Sequence, residues 1–367
     1  GKQQLVEIAK ALAKRVELLI LDEPTAALND DDSAHLLDLV RSLRDEGVTS
    51  VIISHKLGEL LDIADKITII RDGCAIETLD TRQPGGVSEE RLIKGMVGRE
   101  MSTRFPDHTS RAGEEAFRLE DWTVHHPIDT ARKMVDSVNL TIRKGEIVGL
   151  AGLMGSGRTE MAMSVFGRTY GTNISGVVHV HARPVQTRTV AEAKSHGLAY
   201  VSEDRKRYGL NLIQSVKVNM TVAGLRKLAR GGVVDPSAEI VAADRLREDL
   251  TVKTPTIEAF VGKLSGGNQQ KVALAKWVFT DPDILILDEP TRGIDVGAKY
   301  EIYTIIDELA DQGKAILVIS SELPELIGVC DRIYTLSQGR ITGDVPKNEA
   351  TQEHLMKLMT LEKEVAR

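Results

Sequence analysis

The stretch Gly152-Leu153-Met154-Gly155-Ser156-Gly157-Arg158-Thr159 reads G-x-x-x-x-G-R-T and follows an apolar run, Glu146 to Leu153, of the kind that forms a buried strand. Gly152, Gly155 and Gly157, with Ser156 between them, let backbone N–H groups curl round phosphate oxygens at a helix N-terminus, where the dipole favours negative charge. Thr159 is placed to ligate Mg²⁺. The pattern departs from a phosphate loop at one position, where Arg158 stands for Lys. A planar guanidinium still meets phosphate but is no compact point charge, so nucleotide binding with impaired hydrolysis is expected. LILDEPT occurs twice, and Asp22 or Asp288 emerges at the carboxyl end of its apolar run, where open α/β sheets bind ligands and a carboxylate holds Mg²⁺. The adjacent Glu23 or Glu289 can polarise an attacking water as general base. Ser265, Gly266 and Gly267 open a further helix, an arrangement suited to an anion or to a plain helix cap.

These residues imply a repeat. GKQQLVEIAKAL from Gly1 recurs as GNQQKVALAKWV from Gly267, Asp22 matches Asp288, and His55 falls on Ser321, all at an offset of 266. About a third of the first 73 positions are identical in this gapless register. The chain therefore holds two copies of one domain, with residues 1–98 in the first copy, 99–115 as a polar linker and 116–367 as the second. Applied to Gly152, the offset gives 152 − 266 = −114, so the first copy reads as lacking its front half, with an unpaired sheet edge and a tendency to associate.

The alternation of elements predicts an α/β fold with a mostly parallel sheet flanked by helices. Leu18–Leu21 and Ser50–Ile53 read as buried strands, Ser33–Glu46 as an amphipathic helix, and Glu160–Phe166 as another behind the glycine loop. Asp65–Ile76 and Asp331–Ile341 read as hairpins. Phe117–Val124 and Ser137–Ile142 alternate in the manner of a half-exposed antiparallel sheet.

Composition narrows the classes. The formal charge is −7 and aromatics are 4%, which argues against nucleic acid as partner. Two cysteines in 367 residues make no disulfide scaffold. No apolar run reaches the roughly 18 residues of a spanning helix, so a membrane role is expected to be peripheral.

Taken together, LSGGNQQ at Leu264–Gln270, LILDEP and GLMGSGRT resemble the signature, Walker B and Walker A motifs of the ATP-binding cassette proteins, P-loop NTPases, over essentially the whole chain. The lysine-less second loop, VSEDRKRYG at Val201–Gly209 and EPTRGIDVGAKYEIY at Glu289–Tyr303 are similar to the fused ATPase subunits of bacterial monosaccharide importers of the ribose, galactose and xylose class. The resemblance implies tandem cassettes, each with an antiparallel β subdomain and a helical signature subdomain. ATP and Mg²⁺ are the implied ligands. Integral membrane permease subunits are implied as partners at the cytoplasmic face of the inner membrane, with a periplasmic sugar-binding protein served indirectly. One composite site would use Glu23 as base, His55 to orient water and γ-phosphate, Asn29–Asp30 as part of the D-loop, and the opposing Ser265, Gly266 and Gly267. The other would use Gly152–Thr159, Asp288, Glu289 and the first signature, of which Gly1 remains. Arg158 and Ser321 make that second site slow, and the present chain is expected to turn over little ATP. Glu203 stands where the family carries a Gln that touches Mg²⁺. His125, His126 or Trp122 could stack on adenine, Trp122 being the more core-like. A nucleoside importer and a soluble non-transport tandem protein are the alternatives.

Overall fold

The computed structural model describes residues 16–25, 30–54, 56–71, 73–83, 86–97, 105–106 and 108–361. The chain divides into two compact units, one within 1–102 and one over most of 103–367.

In the first unit, β1 (Leu18–Asp22) pairs in parallel with β2 (Thr49–Ile53) across α1 (Asp30–Asp45). The chain continues through α2 (Leu57–Ile63), the hairpin β3 (Lys66–Arg71) and β4 (Cys74–Asp80), and α3 (Glu89–Val97). Leu19 and Leu21 bury against Leu36, Leu37 and Val40 of α1. The opposite face does not follow expectation. Leu18, Ile20, Val51 and Ile53 are 54%, 63%, 46% and 51% exposed, so β1 alternates where a strand buried on both faces was predicted. A cavity of about 910 Å³ lies between β2 and β3, bordered by Val51, Ile53, Ile67 and Ile69.

The second unit explains the difference. It runs β5 (Glu115–His125), β6 (Lys133–Arg143), β7 (Ile147–Gly152), α4 (Arg158–Val165), β8 (Thr172–Val180), β9 (Arg183–Val185), α5 (Val190–Ser195) and β10 (Leu198–Val201). Next come α6 (Val216–Thr221), the short pair β11 (Ala229–Arg230) and β12 (Val233–Val234), α7 (Pro236–Asp249) and α8 (Gly266–Val278). The rest is β13 (Ile284–Asp288), α9 (Val296–Asp311), β14 (Ala315–Ile319), α10 (Leu323–Val329), β15 (Arg332–Ser337), β16 (Arg340–Pro346) and α11 (Gln352–Met359). The main sheet has order β10-β13-β14-β7-β15-β16, parallel except for β16, and an antiparallel sheet has order β6-β5-β8-β9.

Successive residues of β13 serve opposite faces. Ile284 and Ile286 pack toward Phe117, Trp122 and Leu140 of the antiparallel sheet and Met161 and Val165 of α4, whereas Leu285 and Leu287 pack toward α8 and α9. Both faces are covered, so all five residues are buried. Leu18 and Ile20, aligned with Ile284 and Ile286, have no second sheet against them among the described residues of their unit and are exposed. Likewise β7 lies between β14 and β15, where the first unit has its cavity between β2 and β3.

Residues 105–106 and 108–113 form no regular element yet are pinned to the rest of the second unit. Phe105 packs on Tyr303 with ring centroids 5.3 Å apart and sits over Gly328, where a Cβ would come within 2.4 Å of its ring. His108, 4% exposed, bonds Asp307 through Nδ1 and Asp331 Oδ1 through Nε2 at 3.0 Å, and Asp331 Oδ2 accepts the Ile147 N–H that starts β7, at 2.9 Å. The bond to Asp331 raises the His108 pKa above 6.5, against burial, with Asp307 adding to the rise. This stabilisation is full below about pH 6.5 and is lost as pH climbs through the raised folded value. His108→Gln should therefore lower Tm by about 5 °C at pH 6 and by less at pH 8.5. A Tm loss independent of pH, followed by calorimetry, contradicts the charged clasp.

Candidate active site

The glycine loop leaves the buried strand β7 and enters α4 through Gly157, whose φ of +107° and close approach exclude a side chain: a Cβ would lie 2.4 Å from the Met134 carbonyl. Gly152 is bounded in the same way, its Cβ position being 2.4 Å from Ser156 Oγ. Gly155, at φ +79°, faces open space. Ser156 Oγ is buried with no hydrogen-bond partner, and the first-turn N–H groups of α4 have no intrahelical acceptor. A cradle lined with N–H groups and an orphaned hydroxyl fits a phosphate chain. The helix behind it departs from the amphipathic expectation. None of Arg158–Val165 is exposed, and Met161, Ala162, Ser164 and Val165 are buried, because α4 is enclosed between the two sheets.

Asp288 closes β13 fully buried. Its Oδ1 accepts from Thr159 Oγ1 at 3.3 Å and its Oδ2 from the Tyr200 hydroxyl at 2.9 Å. Burial raises its pKa, against those two bonds. A hydroxyl and a carboxylate meeting beside a phosphate cradle suit Mg²⁺, which takes few protein oxygens and completes its shell with water and phosphate. Thr159 and Asp288 are the two side chains that this arrangement offers to such an ion. Glu203 is engaged elsewhere, in an ion pair with Arg292.

Glu289 follows with φ +48°, its N–H donating to the Ile319 carbonyl at 2.8 Å. Both its oxygens have neighbours: Ser321 Oγ donates to Oε2 at 3.1 Å, and Arg158 Nη2 lies 3.7 Å from Oε1. Arg158 also donates through Nη1 to the Ser320 carbonyl. Burial pushes the Glu289 carboxyl up to about 7, against the pull of Arg158 and Ser321. Burial likewise lowers the Arg158 pKa, partly offset by Glu289 and Asp288. The two residues that break the sequence pattern thus hold the same carboxylate.

Ser265 caps the 13-residue helix α8 and receives the Asn268 N–H at 3.5 Å and Asn268 Nδ2 at 2.9 Å. Gly267 is required by packing, since its Cβ would meet Ala298 Cβ at 2.4 Å, whereas a Cβ at Gly266 would press on the movable end of Arg205, Nη2 at 2.9 Å. Trp122 is core and donates to Ser164 Oγ at 2.9 Å. His125 bonds the Thr130 carbonyl, and His126 Nδ1 accepts from the Ile128 and Asp129 amides. In the first unit, Glu23 adopts φ +47° and donates its N–H to the Ile53 carbonyl at 2.8 Å, the arrangement of Glu289, while Asp22 is exposed. Asp30 opens α1. Gly1, Asn29 and His55 lie outside the described residues. Sequence reading missed Tyr200, whose counterpart at the repeat offset would precede residue 1, and Thr291 and Glu325, which the repeat does mark, as Thr25 and Glu59.

Comparison with known proteins gives the same picture. A family profile described as ABC transporter matches residues 135–292. The chain is 59% identical to the L-arabinose transport ATP-binding protein AraG of Geobacillus stearothermophilus, over 98% of this chain and 70% of that protein. It is 49% identical to the xylose import ATP-binding protein XylG of Geobacillus kaustophilus, with the same coverages. Among solved structures, a nucleotide-free ATP-binding cassette from an ABC transporter superposes with TM-score 0.56 at 19% identity, covering 68% of this chain and all of that one. A dimeric cassette in a post-hydrolysis state, bound to ADP and phosphate, superposes with TM-score 0.55 at 21% identity, covering 63% and 98%.

Proposed function

The chain belongs to the ATP-binding cassette transporter family, and on that premise we propose that it is the ATP-hydrolysing subunit of a bacterial monosaccharide importer, a pentose being the first cargo to test. The observation that carries this reading is the joint geometry of the glycine cradle, Thr159 with Asp288, and Glu289 at the end of β13, set in a chain 59% identical to a sugar-transport subunit. One relative is named for L-arabinose transport and the other for xylose import, which favours sugar import over nucleoside import or a soluble function.

The phosphates of ATP are held by the backbone of Gly155–Thr159 and by Ser156 Oγ. Thr159 and Asp288 would hold Mg²⁺, which would neutralise charge on the phosphates. In the first copy Glu23 deprotonates the attacking water, and His55 orients that water and the γ-phosphate. The second copy binds ATP and hydrolyses it slowly, because Glu289 is held between Arg158 and Ser321. No described helix is long and apolar enough to cross a membrane. The subunit works on the cytoplasmic face of the inner membrane against permease partners, a periplasmic receptor delivering the sugar.

Calorimetry of the full-length protein with ATP and Mg²⁺ tests this. Two binding events are expected. Gly157→Ala, which drives a Cβ to 2.4 Å from the Met134 carbonyl, should remove one of them, about a hundredfold or more in affinity. Absence of any ATP binding by the unaltered protein, or recovery with ribosomes in place of a polytopic membrane partner, overturns the assignment.

A further inference from the structure

The loops that end the acidic strands are tied to the first turn of the helix after the next strand, α2 or α10, by a carboxylate that no motif covers, and the tie occurs twice. In the first unit Thr25 Oγ1 donates to Glu59 Oε2 at 2.6 Å. In the second, 266 residues on, Thr291 Oγ1 donates to Glu325 Oε1 at 2.6 Å. Around each tie the backbone repeats as well: Lys56 N and Glu322 N both donate to the preceding Ser54 or Ser320 Oγ at 3.0 Å. Thr25, Thr291 and Glu325 are at most 2% exposed. The Glu59 side chain keeps 20% of its surface, whereas Glu325 is removed from water, which is costly for a carboxylate unless a specific geometry is being held.

The held geometry is that of the general base and its neighbour. Glu23 has a left-handed backbone, φ +47°, which a non-glycine residue keeps only where its surroundings over-determine it. On one side its N–H is fixed to the Ile53 carbonyl at 2.8 Å. On the other, across the rigid Pro24, Thr25 is fixed to Glu59, and Lys56 Nζ adds bonds to the Thr25 carbonyl at 3.2 Å and Glu59 Oε1 at 3.0 Å. Ile53 and Lys56 flank His55 in the chain. The loop of the base and the loop of the histidine are therefore cross-tied before and after both residues. In the second unit Ser320 Oγ also donates to Glu325, while Glu322 turns to Lys299 at 2.7 Å.

The geometry points to Glu59, and Glu325 in the second copy, as positioning residues for ATP hydrolysis, which set the general-base loop against the loop carrying His55 or Ser321 by clamping Thr25 or Thr291. This rests on the ATPase reading above. It predicts that the clamp acts on turnover and not on ATP affinity, because neither Thr25 nor Glu59 belongs to the phosphate cradle.

The test uses matched variants of the full-length protein: Thr25→Val, Thr25→Ser, Glu59→Gln and Thr25→Val with Glu59→Gln, and the same set at Thr291 and Glu325. Glu23→Gln and Glu289→Gln first identify which copy hydrolyses, so a misassigned site is detected separately from a failed clamp. In that copy the valine and glutamine variants should each lower kcat about tenfold or more with KM for ATP moved less than threefold. The double variant should lose little beyond the larger single loss, and the serine variant should recover most of the rate. In the other copy the same changes should lower Tm equally but kcat by a smaller factor. Equal kcat losses in the two copies, additive losses within a pair, or a raised KM at unaltered kcat each overturn the clamp.

Discussion

Glu23→Gln should remove all but about one part in a hundred of the ATP turnover of the full-length protein, whereas Glu289→Gln should cost far less. The two residues are held by the same backbone, with φ +47° and +48° and an N–H bond of 2.8 Å to the following strand, so local geometry does not separate them. Their partners do. Glu289 accepts from Ser321 and lies 3.7 Å from the Arg158 guanidinium, a cation that holds the carboxylate in place without accepting a proton. A general base has to be free to take a proton from water, and a lost catalytic base or transition-state donor costs about 3 kcal/mol, a hundredfold or more. At the repeat offset the first copy carries His55 where the second carries Ser321, and a histidine can both donate and accept near neutral pH. Steady-state phosphate release measures the contrast. Equal losses in the two variants would show that both copies hydrolyse and would end the asymmetric assignment.

The residues that carry this asymmetry were legible unequally. The twin LILDEP runs and the glycine loop announce themselves, because apolar runs ending in carboxylates and glycines at fixed spacing serve local backbone needs. Their burial was only half legible. Ile284 and Leu18 sit at matched positions, yet one is buried and the other 54% exposed, since burial is decided by which elements cover the sheet and not by the strand's own sequence. The helix after Gly157 was read as amphipathic, but a short helix roofed by a second sheet needs no polar face. Arg158 was legible as a departure from the phosphate-loop pattern. Its bond to the Ser320 carbonyl, 162 residues away, was not, nor was Tyr200 beneath Asp288, 88 residues apart. Such pairs exist only once the sheet order places β7, β10, β13 and β14 side by side. Glu59 and Glu325 were visible in the repeat, although nothing in an isolated Glu marks it as a clamp.

Restoring both departures at once should switch the second site on. In the Glu23→Gln protein, Arg158→Lys with Ser321→His is expected to raise residual turnover at least tenfold, by removing the guanidinium that holds Glu289 and adding a donor beside it. A lysine ammonium is a compact point charge suited to the β- and γ-phosphates, and it lacks the fork with which Arg158 reaches the Ser320 carbonyl and the Glu289 carboxylate together. Either change alone should gain much less. Lysine without histidine frees the base but supplies no phosphoryl donor, and histidine without lysine leaves the carboxylate held, so the two gains should multiply more than independently. The pH profile supplies a further readout. Glu289 is pushed up to about 7 by burial against the coulombic pull of Arg158, and lysine keeps that positive charge, so the turnover of the double variant should climb with pH through the range around 7 as the carboxyl ionises. Phosphate release at several pH values, alongside ATP affinity, decides it. Intact ATP binding with no gain in turnover would mean that the inactivity of the second site lies outside Arg158 and Ser321.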